Sequence, residues 1–203
     1  MKISRKAVIL GRRAVLVLLF FPAALQAGVP TDQVRSTVDR VLEILKDAKL
    51  ASPGAKQERR NRLRQVIYPR FDFAEMSRRS LGPAWRRISP TEQTEFVQLF
   101  TQLLEQSYIT NIEGYKGEKI VYSGETQEPD YAEVDTKIFS QQREPIEVDY
   151  RLHKSDGDWK VYDVVIENVS MVNNYRAQFT RLLDQGSFQE LLDRIREKVA
   201  AAQ

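Results

Sequence analysis

The chain has 203 residues, with 31 Lys and Arg against 28 Asp and Glu, one histidine and no cysteine. The lack of thiols excludes cysteine catalysis, thiolate metal sites and disulfide staples, and a lone His153 excludes histidine-rich metal centres. The length suits one domain with a real core held by burial alone.

Taken in chain order, the first element is basic and then apolar. Lys2, Arg5, Lys6, Arg12 and Arg13 precede an apolar run from Ala14 to Leu25, and Gln26-Ala27-Gly28 follows. Residues 1–27 read as a secretory signal peptide cleaved after Ala27. The run, about 12 residues, is shorter than the ~20 that span a bilayer. No cysteine follows it to carry a lipid anchor. The residues around Arg12-Arg13 fit a twin-arginine signal poorly, so Sec export is expected. Without those five basic residues, 26 basic and 28 acidic side chains remain in residues 28–203, a net of −2. The positive charge of the whole chain therefore belongs to the leader and supports no nucleic-acid role.

Thr31 is placed to cap a helix whose Val34, Val38, Val41, Leu42 and Leu45 form one apolar stripe. Ser52-Pro53-Gly54 ends that element. Residues 56–68 form a polar, Arg-rich helix that stops before Pro69. Asp72 and Glu75 have capping-box spacing for a short helix that ends at Gly82-Pro83. Ser89-Pro90-Thr91-Glu92 opens a longer helix to about Asn111, with Phe96, Leu99, Phe100, Leu103, Leu104 and Tyr108 on one side.

Beyond Gly114 the period falls to two. A short strand is expected over 118–123. Ala132, Val134, Thr136 and Ile138 alternate with Glu133, Asp135 and Lys137. Ile146, Val148, Tyr150 and Leu152 alternate with Glu147, Asp149, Arg151 and His153. Asp156-Gly157 is a hairpin turn. The strand from Trp159 to Glu167 is apolar on both sides, with Trp159, Val161 and Val165 on one and Tyr162, Val164 and Ile166 on the other. Ser170 caps a helix carrying Met171, Tyr175, Phe179 and Leu182, which Gly186 ends. Ser187 and Glu190 box the last helix, with Leu191, Leu192, Ile195 and Val199 inward. The order of helices, antiparallel meander and helices predicts an α+β fold with helices on one face of a curved sheet.

A curved sheet closed by helices makes a cone that can hold an apolar ligand, though periodicity alone describes an ordinary core equally well. Asp163 interrupts an apolar strand. It is either a desolvated general base or a paired carboxylate that fixes the following turn. His153 falls on the wet face and is expected to be solvated. Asp156-Gly157-Asp158 lacks the rest of a calcium loop. Arg59, Arg60, Arg62, Arg64, Arg78, Arg79, Arg86 and Arg87 make the helical half basic and are expected to be solvated, while Glu133, Asp135, Glu147 and Asp149 make the sheet face acidic. No P-loop, dinucleotide fingerprint or nucleophile elbow occurs.

Phe71-Asp72-Phe73, Leu81-Gly82 and Trp85 lead into the Phe96, Phe100, Leu103-Leu104, Tyr108 helix. Later come Val161-Tyr162-Asp163-Val164-Val165-Ile166-Glu167-Asn168-Val169-Ser170, Asn174-Tyr175-Arg176 and Phe179. In order and spacing these stretches resemble the MlaC-like family, the periplasmic phospholipid-carrier component of the Mla, or toluene-tolerance, ABC transport system. The resemblance implies an NTF2-like α+β fold, with about four strands wrapped by N- and C-terminal helices around an acyl-chain cavity. It implies a periplasmic shuttle that carries phospholipid as cargo, with no cofactor, and maintains outer-membrane lipid asymmetry. Its partners would be an outer-membrane lipoprotein–porin complex and an inner-membrane ABC transporter with its membrane-anchored substrate-binding subunit. The tail-lining positions would be Phe96, Phe100, Leu103, Tyr108, Val134, Ile138, Val148, Tyr150, Leu152, Val164, Ile166, Met171 and Phe179. Two alternatives stand beside it. One is an NTF2-like isomerase or dehydratase using Asp163 with Tyr150 or Tyr162. The other is a periplasmic interaction module with a filled core.

Overall fold

The computed structural model describes residues 29–140 and 144–201; the expected signal peptide lies outside them. Four helices come first: α1 (Val29–Lys46), α2 (Lys56–Ile67), α3 (Phe73–Leu81) and α4 (Pro90–Glu113). Five strands follow: β1 (Lys119–Gln127), β2 (Tyr131–Phe139), β3 (Ile146–Ser155), β4 (Asp158–Ile166) and β5 (Val169–Ser170). Helices α5 (Met171–Leu183) and α6 (Phe188–Ala201) close the chain. The strands form one antiparallel sheet in sequence order. The fifth strand, beyond the four expected, is two residues long and pairs with Val165 and Ile166.

Local chemistry sets most helix starts. Ser89 and Glu92 form a complete capping box with Pro90 in the first turn. Ser187 and Glu190 exchange the same pair of bonds at α6. At α3 the box is half made. Asp72 accepts from the Glu75 amide at 2.8 Å, but the Glu75 carboxylate is taken by Arg78 and Arg79. The Asp72 amide turns instead to the Val161 carbonyl at 2.9 Å, which ties the start of α3 to β4. Thr31 does not cap α1. Pro30 suits the first turn, so the helix begins earlier, and the buried Thr31 amide donates to Glu125 Oε2 of β1 at 2.8 Å. Asp156 and Gly157, both with positive φ, make the two-residue turn between β3 and β4.

The apolar side chains divide into two clusters. One joins α3, α4, α5 and α6 around Met76, Phe96, Phe100, Leu104, Phe179 and Leu192. The other lies between α1 and the sheet, around Val34, Val134, Val148, Leu152, Val161 and Val164. Phe71 and Met171 touch both.

The arginines of α2 are less solvated than their sequence suggests. Arg59 and Arg60 both hold Glu113, at 2.7 and 2.9 Å, and Arg64 holds Glu105 at 2.6 Å. Tyr68 donates to the same Glu105 carboxylate at 2.7 Å. A polar helix with few buried residues is thus fastened to α4 by charge. Burial by itself would raise both carboxyls. The hydrogen bonds from Arg64 and Tyr68, and from Arg60 and Arg59, outweigh it and hold them below the usual glutamate range. Depressed carboxyls contribute stability that is complete above the unfolded-state pKa and is lost as pH falls through the folded-state value. Thermal unfolding from pH 7 to 3 should therefore show a loss that sets in near pH ~4. Glu105→Gln with Glu113→Gln should start less stable and lose less on acidification. An acid limb of unchanged slope in that variant would remove these pairs from the account.

Candidate functional site

The inner face of the sheet is built in rows. Leu152 stands opposite Ala132 and Val161. Tyr150 stands between Val134 and Val164, Val148 between Thr136 and Ile166, and Ile138 between Ile120 and Ile146. Tyr122 of β1 joins the Thr136 row. The pattern of β4 departs from simple alternation. Arg151 pairs with Asp163 and Leu152 with Val161, so Tyr162 is an extra residue in a β-bulge. The bulge brings Trp159 and Val161 onto the same face as Val164 and Ile166, where strict alternation had separated them.

One helix covers this face. Of the α1 stripe, Val34 is buried, whereas Val38, Val41, Leu42 and Leu45 are half-buried. Apolar side chains of α1 and the sheet pack against one another along the seam. Two hollows of about 310 and 350 Å³ lie elsewhere. The first is bordered by Arg64, Tyr68, Gln102 and Glu105. The second, on the outer face of the sheet, is bordered by Asp135, Lys137, Glu147 and Asp149. At one end of the sheet apolar groups reach solvent: Phe139 is 40% exposed, Ile146 39% and Val169 58%.

The thirteen positions proposed from sequence fall on both sides of the cluster boundary. Val134, Ile138, Val148, Tyr150, Leu152, Val164, Ile166 and Met171 come together under α1. Phe96, Phe100, Leu103, Tyr108 and Phe179 belong to the helical cluster, where Phe100 packs edge-on against Tyr175 and Phe179. A helix face that is apolar in sequence does not say which of two cores it enters.

Two inner-face phenols stand out. The Tyr122 hydroxyl is buried and has no hydrogen-bond partner among the described residues. Arg35 of α1 lies over its ring, 4.6 Å from the centroid. Burial, then the neighbouring Tyr150 phenol and Asp39, pushes the Tyr122 hydroxyl up against the opposing effect of Arg35. Burial, helped by Asp149, pushes Tyr150 up to about 12. Both therefore keep their protons at neutral pH. Tyr122 went unremarked in the sequence, although Ile120 and Tyr122 already show the two-residue period of an inward strand face.

Asp163 faces the other way, toward α5. It is 3% exposed, accepts from the Ser170 hydroxyl at 2.5 Å and from the Val172 amide at 3.0 Å, and has Arg151 at 3.7 Å. Ser170 in turn accepts from the Asn173 amide. The carboxylate thus fixes the β4–α5 junction. The sheet stands between it and Tyr150, so that acid–phenol pair is not assembled, while Tyr162 lies in the bulge with Arg79 over its ring at 4.0 Å. Asp163→Asn should cost about 1–3 kcal/mol, because the amide cannot accept from both donors. Thermal unfolding checks this, and an unchanged midpoint would mean that neither bond matters.

His153 is not simply solvated. Its Nε2 lies 2.9 Å from Asp72 Oδ2, the carboxylate that also caps α3, and its ring meets Tyr162 edge-on. On the same outer face, carboxylate oxygens of Glu133, Asp135 and Asp149 lie within 4.8 Å of one another. Burial and then neighbouring acids raise Asp135 and Asp149 above the usual aspartate range.

An apolar seam between a helix and a curved antiparallel sheet is the feature that the fold shares with lipid-binding proteins of known structure. The fold is similar to the structure of a phospholipid-binding protein from Ralstonia solanacearum in complex with a phospholipid. That match has a TM-score of 0.77 and 26% identity, covering 86% of this chain and 99% of that one. The family profile described as MlaC protein matches residues 35–197, and the chain belongs to the MlaC family. The intermembrane phospholipid transport system binding protein MlaC of Haemophilus influenzae is 23% identical over 143 residues, 68% of this chain and 67% of that protein. The toluene tolerance protein ttg2D of Pseudomonas putida is 27% identical over 175 residues, 83% of this chain and 80% of that protein. No described helix is long and apolar enough to cross a membrane.

Proposed function

We infer that this protein carries phospholipid, taking the acyl chains into the seam between α1 and the inner face of the sheet. The observation that carries this is the division of the core. The helical cluster of α3 to α6 holds itself together, so the seam under α1 can open without unfolding the frame. Only Val34 of the α1 stripe is fully committed to that seam. The membership in the MlaC family and the likeness to a phospholipid-bound structure support the same reading.

Water is the barrier such a protein removes. Two chains of about 15 methylenes, at ~0.8 kcal/mol each, oppose crossing by on the order of 20 kcal/mol. A dry seam cancels most of that cost but supplies no direction, since tails in protein and tails in bilayer are nearly equivalent. Export by the cleaved leader of residues 1–27 would place the carrier, residues 28–203, in the periplasm. There it would pass lipid between an outer-membrane lipoprotein–porin complex and an inner-membrane ABC transporter with its membrane-anchored subunit, keeping the outer membrane asymmetric. Native mass spectrometry of the mature protein, purified gently from cells, tests the core of this. Co-purified phospholipid is the expected result, and protein that stays empty even after incubation with phospholipid vesicles would overturn it.

A further inference from the structure

The inner face is mostly apolar, and one of its few polar groups lacks an acceptor among the described residues. Tyr122 buries its hydroxyl without a partner among the described residues. Its nearest polar row-mate, Thr136, donates its own hydrogen to the Val148 carbonyl. Burying a hydroxyl unpaired is unfavourable, and a phenylalanine would fill the same space without that cost. Directly above the ring sits the Arg35 guanidinium, whose ion pair with Asp32 is long, at 3.5 Å, between side chains 42% and 62% exposed. A dry donor and a half-wet cation thus stand at successive depths of one edge of the seam, on β1 and α1. A diacyl phospholipid presents the matching sequence of groups: an ester carbonyl at the top of each tail and a phosphate just beyond it.

Resting on the carrier function above, we propose that Tyr122 donates its hydroxyl hydrogen to a glycerol-ester carbonyl of the bound phospholipid while Arg35 holds the adjacent phosphate. This pair fixes the polar end of the cargo at the α1–β1 edge. The tails then run along the Val134, Val148 and Val164 rows. Tyr150, in the neighbouring row, lies near enough to influence Tyr122 and stays protonated, so it offers a second donor on the same face. Affinity for the tails would come from burial, which is blind to orientation. The two polar contacts supply the orientation.

The test uses the delipidated mature protein and three lipids of equal chain length, each presented in dilute vesicles: a diester phosphatidylethanolamine, its diether analogue and a diacylglycerol. Parent protein should hold the diester about three- to tenfold more tightly than the diether, the factor one neutral hydrogen bond provides. Tyr122→Phe should lose that preference by weakening the diester alone, and without lipid it should melt no lower than the parent. Arg35→Gln should weaken both phospholipids and leave diacylglycerol unchanged. The inference is overturned if Tyr122→Phe keeps the parental ester preference, or if the delipidated variant is destabilised, since the hydroxyl would then have a protein partner. Failure of the parent to take up any of the three lipids would instead overturn the carrier function itself, and this inference with it.

Discussion

Phe100→Ala is expected to lower stability by about 3–5 kcal/mol while leaving lipid uptake per folded molecule unchanged. Phe100 has no exposed surface, stacks on Phe96 at 5.6 Å and meets Tyr175 and Phe179 edge-on. Removing its ring leaves a cavity at the junction of α4 and α5 that a framework of four helices cannot readily collapse. For a domain of this size the loss corresponds to a thermal shift of roughly 10–15 °C. The substitution lies in the helical cluster, which on the proposed function is frame rather than container. Folded Phe100→Ala that has lost its lipid would show that the two clusters work as one cavity, restoring Phe96, Phe100, Leu103, Tyr108 and Phe179 to the lining. Uptake should be measured below the variant's midpoint, so that loss of fold and loss of cargo are read separately.

Val148→Trp should do the reverse. Val148 sits in the middle row of the inner face, between Thr136 and Ile166, and is buried. A tryptophan there adds the volume of about three methylenes to space that the tails need. At ~0.8 kcal/mol for each methylene displaced, uptake should fall by on the order of fiftyfold. Overpacking an ordinary core costs about 1–3 kcal/mol. Because α1 commits only Val34 fully to this seam, it can shift outward and keep the cost near the lower figure. Val164→Trp, one row away, should behave alike. Unfolding of both variants, with lipid retained by whatever remains folded, would mean that the tails lie elsewhere.

The two substitutions separate residues that the sequence treats alike. Phe100 and Val148 both belong to regular apolar stripes, and both entered the same set of tail-lining candidates. Periodicity reports that a side chain is turned inward, not which interior it joins. The same limit applied to β4. Trp159, Val161 and Val164 could be placed on one face only once the Tyr162 bulge was seen, because a single inserted residue reverses every assignment beyond it.

What the chain alone determined was local. The helix starts at Ser89, Ser170 and Ser187, the Asp156-Gly157 turn and the shift from helical to alternating period all depend on residues a few positions apart. So does the expectation of α helices before and after an antiparallel meander. The tertiary structure decided the contacts between distant residues. It set Glu125 against the Thr31 amide, Asp72 against His153 and Val161, and Arg59 and Arg60 against Glu113. It turned Asp163 away from the inner face and toward α5, and left Tyr122 facing inward without an acceptor among the described residues. Local bonds close over three or four residues whatever the rest of the chain does. A charge or hydroxyl that must find its partner tens of residues away is committed only when helices and sheet have packed, and those long-range choices separate frame from cleft.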